Sequence, residues 1–155
     1  MDPKKAYRSH LNEIQGSNLI IGGRVPLGLD KPENIPPLLA YVKEKNVVQV
    51  HMIFLDAILE RGYAVHTQEI ERELSKIGVM FVPYPKETNN IGAYVSFSRV
   101  VEKLRGNEKA LVLCKHGKHN SAAFAMYHLF RQGKGNDWVH HAFRQMGWSE
   151  EAIAN

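Results

Sequence analysis

The 155-residue chain has a single cysteine, so it cannot close an internal disulfide. No apolar stretch comes near the roughly 20 residues needed to span a bilayer, and no membrane partner is expected. The opening segment, MDPKKAYRSHLNEIQG, lacks the apolar core of a secretory signal. These absences together point to a reducing, cytoplasmic setting. No Cys/His array has zinc-finger spacing and no aromatic RNA-binding signature is present. The net charge of +4 comes from lysines and arginines spread along the chain rather than from one basic block, so nucleic acid is not the expected partner. What the balance does favour is a small, local anion site.

With 44% hydrophobic and 23% charged residues, the composition is that of an ordinary globular protein. The length suits one domain, residues 1–155, and is short for two. NLIIGG (18–23) reads as a strand stopped by glycines, and the Gly/Pro-rich run after it as a long loop within the domain. IPPLLAYVKEKN (35–46) has helical spacing, and VVQVHMI (47–53) is a β-branched buried strand. HTQEIERELSKIG (66–78) places Ile70, Leu74 and Ile77 on one helical face with Gly78 as its stop. Further along, VMFVPYP (79–85) reads as a strand, 90–106 as a helix and ALVLC (110–114) as a strand. Helices are predicted over 120–133 and 137–147, with a short one at SEEAIAN (149–155). This alternation predicts an α/β fold: a mainly parallel sheet of about four to five strands flanked by helices, with binding groups in loops after strand C-termini.

The cysteine sits at one such point, within LVLCKHGKHNSAAF (111–124). A strand, a glycine-containing loop and a helix converge backbone amides and a helix N-terminus on one spot, a general arrangement for holding an oxyanion. Cations and a helix N-terminus favour thiolate, the nucleophilic form, and Lys115, His116, Lys118 and His119 surround Cys114 in sequence. The plainer alternative is a small buried hydrophobe ending a strand. His116 and His119 lie on a loop without a clear carboxylate or cysteine partner, a poor case for a metal, so none is expected, nor is any cofactor.

The segment LCKHGKHNS resembles the phosphate-binding loop of the cysteine-dependent protein tyrosine and dual-specificity phosphatases, whose pattern is His-Cys-x-x-Gly-x-x-Arg-Ser/Thr. Cys114, Gly117 and Ser121 fall on matching positions. NLIIGGRVP resembles the opening strand of compact members, VPYP the strand before their acid loop, and GWSEEAIAN their tail helix. The resemblance implies a phosphatase-like fold with a phosphate-binding loop after the last core strand. It also implies a Cys114 nucleophile, a phosphate cradle formed by residues 115–120, and a phosphorylated protein or small phosphate ester as ligand.

The departures from the pattern are as informative as the matches. Leu113 replaces the histidine before the cysteine, and Asn120 stands where the family has its arginine. That arginine is a bidentate, permanent positive clamp, whereas asparagine offers neutral donors on a shorter arm. Losing one positioned donor costs roughly 10²–10³-fold in rate; Lys115 and Lys118 compensate partially at most. The loop PYPKETNNIG lacks the family's acidic aspartate. Glu87 is its only carboxyl group, either a replacement general acid or a solvated neighbour of Lys86. Ser121 matches the hydroxyl that assists release of the thiol-phosphate intermediate, or else caps a helix.

Three functions follow as expectations. The first is a binding domain, a pseudophosphatase that holds phosphate esters or phosphorylated protein with weak or no hydrolysis. The second is an active cysteine phosphatase with atypical loop residues. The third, more distant, is thiol redox or sulfur transfer. Trp138 reads as core, His140 and His141 as pointing to different helix faces, and the isolated histidines at 10, 51, 66 and 128 as structural or surface groups.

Overall fold

The computed structural model of the chain describes residues 11–24, 26–29, 31–54, 61–84, 91–114 and 120–145, with the side chains of 61–66 and 145 not included. Five strands, β1 (Leu11–Glu13), β2 (Leu19–Gly23), β3 (Val47–Ile53), β4 (Met80–Tyr84) and β5 (Lys109–Cys114), form one sheet in the order β1-β2-β5-β3-β4. Four run parallel, and β1 pairs antiparallel with β2 at one edge. The helices are α1 (Ile35–Glu44), α2 (Arg61–Lys76), α3 (Ile91–Val101), α4 (Asn120–Arg131) and α5 (Asn136–Gln145). The α/β class and the predominantly parallel sheet are as the sequence predicts.

Strand alternation divides the interior into two layers. Ala110, Val112 and Cys114 of β5 join Leu19 and Ile21 of β2 on the face covered by α3, α4 and α5. Leu111 and Leu113 look the other way, toward Ile20, Leu38, Tyr41 and Val42 and the α2 residues Ile70 and Leu74. A bulge between Val47 and Gln49 in the pairing with β5 shifts the phase of β3. Val47 thereby shares a face with Val50 and Met52, and Gln49 and His51 are left on the opposite one.

The ends of the elements follow from their sequences. Helix α1 has Pro at its start, where a missing N–H removes no intrahelical bond. Asn46 ends its turn in the left-handed region (φ 58°), and its amide donates to Asn107 Oδ1 at 2.9 Å. Helix α2 closes at Gly78 (φ 75°), with Val79 N–H donating to Leu74 O (3.0 Å) and Gly78 N–H to Ser75 O (3.1 Å). This is the two-bond cap that glycine allows. Pro83 lies in β4 at the sheet edge, where a strand can lack an N–H and resists pairing with another chain.

The structure adds to the sequence reading at two places. β1 is a strand the sequence did not suggest: three residues give too short an alternation to register. Helix α2 starts at Arg61, five residues before the predicted start at His66. The predicted terminal helix at 149–155 lies outside the described residues. Among the described residues, no helix is long and apolar enough to cross a membrane.

Candidate functional site

Cys114 is the last residue of β5 and is buried, 2% exposed. Its backbone is held from the β2 side. Gly23 is its register partner, and Arg24 N–H donates to Cys114 O at 2.8 Å. Its Sγ lies 3.3 Å from Ser121 Oγ, in the first turn of α4. The thiol donates to this hydroxyl; once ionised, the sulfur would accept from it. The contact spans the loop, so the end of β5 and the start of α4 sit side by side. Ser121 lies one residue inside the helix, its hydroxyl on the thiol, which separates it from a plain capping serine. Asn120 is the first residue of α4 and is half-buried. Lys115, His116, Gly117, Lys118, His119 and Glu87 lie outside the described residues.

Connectivity makes the end of β5 a place for a ligand. From β5 the chain passes to α4 on one face, whereas from its neighbours β2 and β3 it passes to α1 and α2 on the other. Connections leaving adjacent strand ends for opposite faces open a crevice between them, and in parallel α/β sheets ligands bind in that crevice. Here β5 has such a neighbour on both sides. An anion over Cys114 would also meet the N-terminal end of α4, where amides without intrahelical partners and the helix dipole favour negative charge. A surface groove of about 670 Å³ between α2 and β4, lined in part by Glu71, Arg72, Lys76 and Met80, lies two strands away from β5.

Two features escaped the sequence reading. Arg24, fully buried just past β2, places its guanidinium 4.5 Å from the centre of the Phe54 ring, just past β3. The second is a chain of polar groups beneath the sheet on the Cys114 face. Gln49 Nε2 donates to Val100 O of α3 (2.9 Å), and Gln49 Oε1 contacts His51 Nε2 (2.9 Å), while His51 Nδ1 meets Tyr84 Oη (2.8 Å). A carbonyl oxygen only accepts, so His51 carries its proton on Nε2 and Tyr84 O–H donates to Nδ1. Every bond in the chain thus has one direction.

Burial, with a smaller contribution from His128, pushes the His51 pKa down to about 3, so the ring is neutral. Burial also raises the Tyr84 phenol. His128 of α4 meets Ser98 Oγ through Nδ1 at 2.7 Å. Its Nε2 is buried with no hydrogen-bond partner among the described residues. Burial lowers its pKa, with Glu102 opposing and Arg131 assisting. His51 and His128 are therefore structural, as expected; His10 and the side chain of His66 lie outside the described residues. The signal for the polar chain was Gln49 and His51 two apart in an otherwise apolar strand, which puts both on one face. For Arg24 it was a charge placed directly after the buried strand LIIGG.

Trp138 packs against the core with Lys134 Nζ 4.7 Å above its ring, while His140 is half-buried and His141 exposed, in line with the sequence reading. Compared with known protein families and with curated proteins, the chain matches none.

Proposed function

We propose that this protein binds phosphate esters or phosphorylated protein at the loop after Cys114 and hydrolyses them weakly or not at all, as a pseudophosphatase-like relative of the dual-specificity phosphatases. The observation that carries the reading is the position of Cys114: at the C-terminal end of β5, in the crevice between oppositely directed connections, with its sulfur 3.3 Å from the hydroxyl opening α4. The loop residues 115–119 would cradle the anion through backbone amides, with Lys115 and Lys118 adding charge. Asn120, where the resembling family has arginine, lies at the same helix end as Ser121 and offers neutral donors only. Binding without efficient turnover is the expected consequence.

One observation favours hydrolysis as a second reading: the Cys114–Ser121 contact, which a pure binder does not need. In that reaction the Cys114 thiolate attacks phosphorus and the ester oxygen leaves with a proton from Glu87. Water, giving up a proton to Glu87, then displaces the thiolate from the phosphocysteine, which releases inorganic phosphate and restores the starting thiolate and carboxylic acid.

The test is an aryl phosphate assay across pH for wild type, Cys114→Ser and Asn120→Arg, combined with phosphate protection of Cys114 from iodoacetamide for wild type and Asn120→Arg. The binding reading expects protection in the wild type with little turnover, and tighter protection with roughly 10²-fold or more turnover in Asn120→Arg. Robust wild-type turnover lost in Cys114→Ser would select the second reading. Sulfur transfer from thiosulfate would select neither, and a thiol that phosphate never protects would end both.

A further inference from the structure

The geometry points to Arg24 as the residue that supplies fixed positive charge at the C-terminal end of β5, beside Cys114, in place of the arginine that Asn120 does not provide. β5 lies between β2 and β3. Arg24 follows β2 and Phe54 follows β3, strands about 9–10 Å apart at ordinary sheet spacing. Their contact, 4.5 Å from guanidinium carbon to ring centre, therefore crosses the end of β5, where the chain departs from Cys114. Phe54 packs against the aliphatic cluster on the side of the sheet away from Cys114 Sγ. The guanidinium thus lies beside the strand end, over the Phe54 ring.

Three backbone ties fix this place. Arg24 N–H donates to Cys114 O (2.8 Å), Leu29 N–H donates to Arg24 O (3.1 Å), and Phe54 N–H donates to Tyr84 O (2.9 Å). Leu27 and Leu29, 4% and 0% exposed, anchor the segment after Arg24 in the core. Arg24 is itself 0% exposed. A guanidinium stays charged at any pH the fold survives. Held beside the strand end, it favours negative charge there, through a medium that screens far less than water. Arg24 is accordingly a positioning residue: it sets the field at the anion site and holds the end of β5 without contacting ligand.

This inference rests on the oxyanion-binding reading, and the experiment separates the two. Full-length wild type, Arg24→Lys and Arg24→Met are titrated with inorganic phosphate, following protection of Cys114 from iodoacetamide, with a thermal melt of each. A charge role predicts that Arg24→Met weakens phosphate protection by about tenfold or more, while Arg24→Lys stays within about threefold of wild type, even where both melt earlier. Equal losses in the two variants, or Arg24→Met binding phosphate like wild type, would overturn it and leave the site reading intact. If Arg24→Met does not fold, Arg24→Lys decides alone: near-wild-type protection supports the role of charge, and a tenfold loss overturns it. Wild type unprotected by phosphate would remove the site and this inference together.

Discussion

The two faces of the sheet use the same strands and differ in kind. Against α1 and α2 the packed residues are mostly aliphatic, among them Ile20, Leu38, Val42, Val50, Met52 and Leu111. Against α3, α4 and α5 the layer holds rings and polar groups. Phe97 stands edge-on to His51 (4.8 Å between ring centres) and to Phe124 (5.4 Å), and Gln49, His51, Ser98 and His128 are all buried there. Aliphatic burial is strong but non-directional. Buried hydrogen bonds add little net energy when made and cost much when broken, so they hold one arrangement against its neighbours. Cys114 faces the directional side. Its partner Ser121 shares α4 with Phe124 and His128, so the site rests on the layer that tolerates least rearrangement.

The largest break comes from removing the ring at the centre of that layer. Phe97→Ala should cost about 3–5 kcal/mol in urea denaturation. Phe97 is fully buried and also contacts Tyr84 and His128 at 6.4 and 6.1 Å, so Cys114 alkylation should quicken as well. Leu38→Ala on the other face should lose comparable stability and leave the alkylation rate near wild type. If both variants expose Cys114 equally, the two layers do not differ as described.

Gly28→Ala probes the loop that fastens the aliphatic side. Gly28 has φ 65°, and an added Cβ would fall 2.6 Å from Asn34 Nδ2, which donates to Gly28 O at 2.8 Å. Strain and overlap together should cost about 2 kcal/mol. Because Leu27 and Leu29 flank this turn and Leu29 bonds Arg24 O, phosphate protection of Cys114 should weaken in parallel. A variant as stable as wild type would show that the turn adapts freely.

Tyr84→Phe acts on the directional face at single-atom scale. It removes the hydroxyl that satisfies His51 Nδ1 and leaves that acceptor buried. A loss of about 1–2 kcal/mol is expected by denaturation. The same substitution in a His51→Leu background should cost clearly less, since the partner is already gone. Additive losses would mean that the bond is not coupled.

How much of this could be read from the sequence depends on whether the information is periodic. β3 was legible to the residue because VVQVHMI is a run of β-branched and apolar residues set off by Asn46. The stop of α2 was legible because Gly78 takes a left-handed φ. Cys114 at a strand end and Ser121 at a helix start were legible because the apolar run stops at one and helical spacing begins at the other. Strand order was not, since β5, last in the chain, inserts between β2 and β3 through contacts that no local pattern encodes. For the same reason Arg24 passed unnoticed: its significance depends on Phe54, thirty positions on, and on a strand ninety positions away. The bulge at Val48, which selects the face that Gln49 and His51 occupy, is also a pairing property rather than a local one.

The smallest effect per step, and the one most specific to the directional face, is in pH. His51 titrates near 6.5 when unfolded and at about 3 when folded. Between those values the unfolded chain binds a proton that the folded chain refuses, so stability is full above about 6.5 and falls as the solution is acidified through that window. The slope approaches about 1.4 kcal/mol per pH unit for one such group. His128, also lowered by burial, steepens it. Among the described residues, the groups in contact with His51 are Gln49 Oε1, the Tyr84 hydroxyl and the Phe97 ring, all uncharged, and the further influence is His128. None offers a negative charge to a protonated ring. His51→Gln should therefore flatten the decline between pH 6.5 and 5 in urea midpoints, whatever it costs at pH 7.5. A decline of unchanged slope would place the acid sensitivity elsewhere and remove His51 from the account.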